Sequence, residues 1–184
     1  VWDNNPAVGT DFIAWDDEDN SNPPEDVDAY AATIQKNTGV SPNTLVIGRE
    51  VFNILRRHPI LVDMFKYTGV GILNEAQVAQ ALGVETLLIG RAVRRTSLEG
   101  AANAVQAYVW GKHALLLYVP PRPAIREPAA GYTFVWNIDG SGFNVAISPW
   151  TDEARDRDVL KGKHAFDYKV VGTDLGCWFG NVMS

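Results

Sequence analysis

TLVIGREV, Thr44–Val51, and TLLIGRAV, Thr86–Val93, write nearly the same eight-residue pattern twice in one chain. Each opens with a short apolar, β-branched run and leaves it through a glycine, which suits a buried strand better than a helix. A duplicated fold would extend the match beyond these eight positions, and the flanking sequence does not. The pair therefore predicts two similar strands with glycine exits in one sheet, and no solenoid.

Working outward, the segments around these strands read as helices. REVFNILRRHP places Val51, Phe52 and Leu55 on one face, and Pro59 ends that helix by forcing His58 out of helical geometry. NEAQVAQALGV pairs Asn74 with Gln77 as a capping box, buries Val78 and Leu82, and stops at Gly83. Upstream, Asn22 is the expected N-cap of a helix with Pro23 at its first position and Glu25 and Asp26 in its first turn. Val27, Tyr30, Ala31 and Ile34 form its apolar face, and Lys36 and Gly39 close it. ILVDMFKYTGVG fits no single element.

The second half is rich in strands. AYVWG and ALLLYVP flank Gly111 and Lys112; YTFVWNIDGSGFNVAI holds a glycine-rich turn between alternating runs; FDYKVVGTDLGCWF reads as one long extended segment. The highly charged TDEARDRDVLKGKH lies between them. Helices combined with one antiparallel sheet predict an α+β architecture.

Composition narrows the function. With 184 residues and 46% hydrophobic content, the chain can bury one substantial core with an appended sheet. A formal net charge of -6 argues against a sequence-independent grip on nucleic acid, which draws on dense Lys and Arg. The single cysteine, Cys177, excludes an intrachain disulfide and a cysteine zinc cluster, and fits a reducing cytoplasm. Apolar runs such as Ala114–Pro121 fall far short of the roughly 20 residues of a membrane helix. VWDNNPAVGTDF shows no export signal and lacks an initiator Met, so the chain is expected to be part of something longer.

Catalytic and metal motifs find little support. Asp16, Asp17, Glu18, Asp19 and Asp26 offer carboxylates for a calcium ion, but the EF-hand spacing is absent, and a solvated loop from Trp15 to Asp26 is the simpler reading. His58, His113 and His164 are scattered and belong to no metal-ligand pair, so each is expected at the surface or half-buried. Ser141 in DGSGF sits in an expected hairpin turn and lacks the nucleophile-elbow spacing. No glycine-rich phosphate loop occurs, and Cys177, in the apolar DLGCWFGNV, is expected to be buried and inert.

What stands out is the set of residues that anchor interfaces. There are six Trp, with Trp110, Trp136, Trp150 and Trp178 on or beside predicted strands. Arginines gather at Arg49, Arg56, Arg57, Arg91, Arg94 and Arg95. Long strands with no covering helix must pair with something, and Trp and Arg dominate interfaces. That points to assembly.

PNTLVIG, REVFNILRRHP, KYTGVG, VAQALGVETLLIGRAV, AYVWGKHALLLYVPPRP, GYTFVW and FDYKVVGTDLGCWF, in that order, resemble the major capsid proteins of tailed phages and prophages, which share the Hong Kong 97 coat fold. The resemblance runs from about Trp15 to the C-terminus. It implies residues 1–23 as an N-terminal linker or peripheral-domain remnant, 24–119 as the axial domain, and 120–184 as crossover and peripheral-domain strands. The family's N-terminal arm, extended loop and spine helix have no counterpart in this sequence.

The resemblance implies a structural protein and no enzyme, with no cofactor. Its partners would be its own copies in pentamers and hexamers, scaffold and portal proteins, and enclosed double-stranded DNA bound without sequence specificity. No membrane is involved. The location would be a virion capsid assembled in the bacterial host cytoplasm. HALLLYV would then be a core strand and PPRP a stiff crossover, because proline fixes φ and lacks a ladder donor. The candidate subunit-interface residues are Arg56, Arg57, Arg94, Arg95, Trp110, Pro120, Pro121 and Arg122. An encapsulin-like shell for protein cargo shares the fold, and a small metal-dependent α+β hydrolase is the alternative from another class.

Overall fold

The structure, a computed structural model, describes residues 2–68, 71–100, 103–124, 126–136 and 145–183. In chain order it contains α1 (Pro23–Thr38), β1 (Thr44–Gly48), α2 (Arg49–Leu55), α3 (Pro59–Met64), α4 (Glu75–Ala81), β2 (Thr86–Gly90), β3 (Val93–Arg95), β4 (Gln106–Tyr108), β5 (Ala114–Leu117), β6 (Gly131–Trp136), β7 (Ala146–Asp152), β8 (Arg157–Lys163), β9 (Ala165–Val170) and β10 (Gly176–Phe179). The chain divides into two compact units, Val1–Ala130 with Gly172–Ser184, and Gly131–Val171.

The first unit is built on a four-stranded sheet ordered β10-β5-β1-β2. The two near-identical stretches are its parallel neighbours, in register from Thr44 opposite Thr86 to Gly48 opposite Gly90. Their glycines have a common cause. The turn at Trp110–Gly111 crosses the ends of both strands: a Cβ on Gly48 would collide with the Gly111 carbonyl, and one on Gly90 would lie 2.8 Å from Trp110 Cβ. β1 and β5 are buried nearly throughout, as strands covered on both faces are, whereas β2 is an edge with Leu88 half exposed.

Local signals set the helices. α1 starts at Pro23 and ends at Gly39, whose φ of 77° lets its N–H reach the Gln35 carbonyl in a left-handed cap. Asn22 stands at the N-cap position, but its side chain donates to Glu25 at 2.7 Å and caps no backbone N–H. The Asn74–Gln77 capping box is present in both directions. Pro59 ends α2 and also begins α3, because its missing N–H is tolerated in a first turn. The unassigned stretch after it contains α3 and a short 3-10 turn at Lys66–Thr68.

The core closes with aromatic rings from both ends of the chain. Phe179 meets Phe12 at 5.6 Å, Trp15 at 5.7 Å and Tyr30 at 5.2 Å between ring centroids. The N-terminal segment bridges the outer side of β10, with the Trp178 N–H donating to the Asn4 carbonyl and the Trp15 N–H to that of Val182. The acidic stretch read as a solvated loop is therefore anchored: Trp15 at its start and Ser21 within it are buried.

Several expected pairings are corrected. The sheet is mixed, and the described residues also form three two-stranded ladders, β3–β4 in the first unit and β6–β9 and β7–β8 in the second. The runs on either side of the DGSGF turn do not pair with each other, since β6 pairs with β9 and β7 with β8; the turn itself, with Ser141, lies outside the described residues. AYVWG and ALLLYVP, on either side of Gly111 and Lys112, enter different sheets. β4 pairs with β3, and β5 pairs with β1 and β10. FDYKVVGTDLGCWF is broken at Gly172–Leu175, so β9 falls in the second unit and β10 in the core sheet of the first.

Candidate assembly interface

The second unit carries apolar surface without a core. Among its described residues only Ala146 is buried. In an antiparallel ladder directly opposed residues share a face. Thr133, Val135, Phe166, Tyr168 and Val170 therefore line one face of β6–β9, and Tyr132, Phe134 and Trp136 line the other, opposite Lys169, Asp167 and Ala165. Phe166 and Tyr168 touch at 5.2 Å between ring centroids. In β7–β8, Trp150 opposes Val159 on one face, and Ile147, Pro149 and Leu160 share the other. Trp136, Trp150, Leu160 and Tyr168 are 70%, 64%, 76% and 72% exposed. Covering one such side chain yields roughly 1.5–3 kcal/mol, and an isolated two-stranded ladder is marginal in water. Both facts favour a covered state.

The structure distributes the sequence-derived candidates over the first unit. Arg56 caps the C-terminal end of α2 with its guanidinium 5.7 Å from the Phe52 ring, which Arg49 also approaches at 5.5 Å. Arg57 beside it is exposed. Arg94 and Arg95 lie exposed on β3, where Arg95 Nε donates to Ser97 Oγ at 2.9 Å. Arg91 pairs with Glu75 at the start of α4. The arginines near one another in sequence thus belong to a helix end, a ladder and a local ion pair.

Trp110 is half-buried and engaged within its own unit. Its Nε1 donates to the His113 carbonyl at 2.9 Å, and its ring meets Trp178 at 5.9 Å. Pro120 is buried, whereas Pro121 and Arg122 are exposed. Just before them the Asn43 carboxamide clamps Val119, donating to its carbonyl at 2.8 Å and accepting its N–H at 3.0 Å. The exit from β5 is held by this clamp as well as by proline.

The remaining candidates for chemistry have structural duties. Cys177 is fully buried, and burial pushes its thiol up to about 12, which leaves no thiolate at neutral pH. His58, expected at or near the surface, is instead fully buried with Nε2 3.0 Å from Ser21 Oγ, and burial holds its pKa below the usual imidazole value. It lies at the α2–α3 corner, as the N-cap of α3 just before Pro59. Asp17 accepts from the Asn20 side chain and from the Asn20 and Asp19 N–H groups, and the Asn20 side chain leads in lowering its pKa. Burial raises that of Asp26, against the opposing hydrogen bond from Trp15 Nε1. Among the described residues no three His, Cys, Asp or Glu side chains gather to hold a metal, and no helix is long and apolar enough to cross a membrane.

Sequence reasoning drew attention to Trp136 and Trp150 but passed over Phe166, Tyr168 and Leu160. The signal for Phe166 and Tyr168 is the alternation in AFDYKV, visible only once the long C-terminal run is divided, whereas Leu160 lies in the charged RDVLKGK, which hides it.

With that geometry in view, two relatives are informative. The chain is 31% identical to the major capsid protein of Pseudomonas phage JBD67 over 182 residues, 96% of this chain and 54% of that protein. It is 30% identical to the major capsid protein of Burkholderia phage BcepMu over 105 residues, 54% of this chain and 33% of that protein. The chain is homologous to phage major capsid proteins. It spans about half the length of the first and a third of the second. No protein-family model matches the sequence. Among solved structures, a phage-related protein from Bordetella bronchiseptica RB50 superposes with a TM-score of 0.79 at 26% identity, over 98% of this chain and 57% of that one. A structure from Mycobacterium phage Che8 superposes at a TM-score of 0.50 and 13% identity, over 98% of this chain and 54% of that one, which is a likeness of fold alone. This capsid-protein homologue thus carries a phage-type mixed helix-and-sheet fold, with a closed core in its first unit and exposed apolar ladders in its second.

Proposed function

We propose that the chain is the coat subunit of a phage or prophage head with the Hong Kong 97 fold, acting as a structural protein and not as an enzyme. Copies associate into pentamers and hexamers that close into an icosahedral shell around double-stranded DNA, with scaffold and portal proteins as further partners. The head is assembled in the host cytoplasm. Residues 24–119 form most of the axial domain, and the strands after the PPRP segment run into the peripheral domain. The observation that carries this reading is the pairing of capsid-protein homology with a second unit whose large apolar side chains stay exposed in a single copy. Such surface marks an interaction site, and rings of five and six arise from heterologous contacts that close.

Arg56, Arg57, Arg94 and Arg95 contribute to contacts between subunits, and PPRP fixes the angle at which the chain leaves β5. Negative-stain electron microscopy with sedimentation, on the protein expressed alone and with its neighbouring genes, tests the proposal. Closed shells or rings of five or six subunits are expected; a persistent monomer under both conditions contradicts it. Pro120→Ala with Pro121→Ala is expected to alter shell yield or size more than subunit secondary structure. Charge reversal at Arg94 and Arg95 is expected to lower assembly, and unchanged assembly removes them from the interface.

A further inference from the structure

The ladders of the second unit leave strand edges unpaired among the described residues, and one edge is self-complementary. β9 reads Ala-Phe-Asp-Tyr-Lys-Val from Ala165 to Val170, with Phe166, Tyr168 and Val170 on one face and Asp167 and Lys169 on the other. Neither Asp167 nor Lys169 has an ion pair or a side-chain hydrogen bond among the described residues. Among the described residues the strand is paired on one side only, by β6.

We propose that the free edge of β9 pairs antiparallel with the same edge of a second copy, about a two-fold axis through Tyr168, to form a continuous β6-β9-β9-β6 sheet across two subunits. This register sets Asp167 opposite Lys169 twice and Phe166 opposite Val170 twice, with Tyr168 facing its own counterpart. Opposite charges and apolar pairs directly across a ladder stabilise it, and like charges oppose it. A slip of one residue places Phe166 or Tyr168 opposite a lysine and turns the apolar face over. A slip of two, which keeps the faces, sets Asp167 against Asp167 in one direction and Lys169 against Lys169 in the other. The sequence thus selects one register and penalises its neighbours.

The other edges are less suited. β7 contains Pro149, which donates no ladder hydrogen bond. β6 carries no charged residue to fix a register. In β8, Asp158 already accepts from Thr151 at 2.9 Å, and Arg157 pairs with Asp152 at 3.3 Å, both within the β7–β8 ladder.

This contact rests on the assembly reading, and cysteine crosslinking of the assembled full chain separates the two. Opposed Cα atoms in an antiparallel ladder lie about 4.5–5.5 Å apart, within disulfide reach, and the native Cys177 is buried. Under mild oxidation Tyr168→Cys is expected to give a disulfide-linked dimer. A mixture of Asp167→Cys and Lys169→Cys proteins is expected to crosslink to each other, and Asp167→Cys alone is not. Asp167→Lys and Lys169→Asp are each expected to reduce the Tyr168→Cys crosslink several-fold, and the double exchange to restore it. Shells that form without a Tyr168→Cys crosslink, self-crosslinking by Asp167→Cys alone, or a double exchange as impaired as the singles overturn the contact and leave the coat reading standing. Unsubstituted protein that remains monomeric overturns both.

Discussion

The core sheet of the first unit and the ladders of the second are both built from short strands rich in Val, Ile, Leu and aromatic residues, yet their environments are opposite. Leu45, Ile47 and Leu116 are fully buried, while Trp150, Leu160 and Tyr168 are largely exposed. The difference lies in what covers the strands. β1 and β5 sit inside a four-stranded sheet with helices and the N-terminal segment packed around it; each ladder of the second unit has, among the described residues, two strands and no α-helix. Strand-forming sequence alone does not make a core. The proposed coat role assigns the uncovered set to contacts with neighbouring copies.

Substitutions that act on one side of this contrast and spare the other sharpen it. Leu116→Ala, at the centre of the core sheet, is expected to cost about 2–5 kcal/mol of subunit stability, measured by urea denaturation of the unassembled protein. A loss below about 1 kcal/mol would mean that the core is looser than its burial indicates. Gly48→Ala should follow, and should exceed Gly90→Ala, because its new methyl meets the Gly111 carbonyl of the backbone while that of Gly90 meets the Trp110 side chain. Equal melting temperatures for the two variants would contradict the account of the paired glycines.

A smaller effect comes from His58. Its folded pKa lies below the unfolded value of about 6.5, so the unfolded chain binds the proton first. Stability is full above that value and falls as pH drops below it, levelling off only once the buried imidazole itself protonates. His58→Gln is expected to flatten this acid limb in a melting-temperature series from pH 7.5 to 4.5; an unchanged slope would assign the limb to other groups. Smallest of all for the single subunit is Leu160→Ser, expected to shift stability by no more than about 0.5 kcal/mol while lowering shell yield. A large loss of subunit stability there would show that the ladder has a core of its own.

The contrast was only partly legible in the sequence. TLVIG and TLLIG announced two strands of one sheet, as found, because both strands and their glycine exits are defined locally; their parallel pairing, in a sheet expected to be antiparallel, was not legible. The same holds for the Asn74–Gln77 box and the Gly39 stop, each set by residues within one turn of a helix. Pairing across long separations was not legible. β10 joins β5 from far along the chain, and β6 reaches past β7 and β8 to β9, choices made by packing and invisible to the alternation of any single strand. Burial of nearly identical strands also diverges, since Leu45 is enclosed and Leu87 only partly so by virtue of place in the sheet. Of the interface candidates, Trp110 was found for its size, but the structure gives that size a use inside the subunit.

Side-chain footprinting of Trp136, Trp150, Phe166 and Tyr168, compared between free subunits and assembled particles, bears hardest on the claim that the second unit is completed by its neighbours. Strong protection of these four on assembly, with the buried residues of the first unit unchanged, is the expected result. Equal reactivity in both states would contradict it and would leave the exposed ladders without a role in the shell.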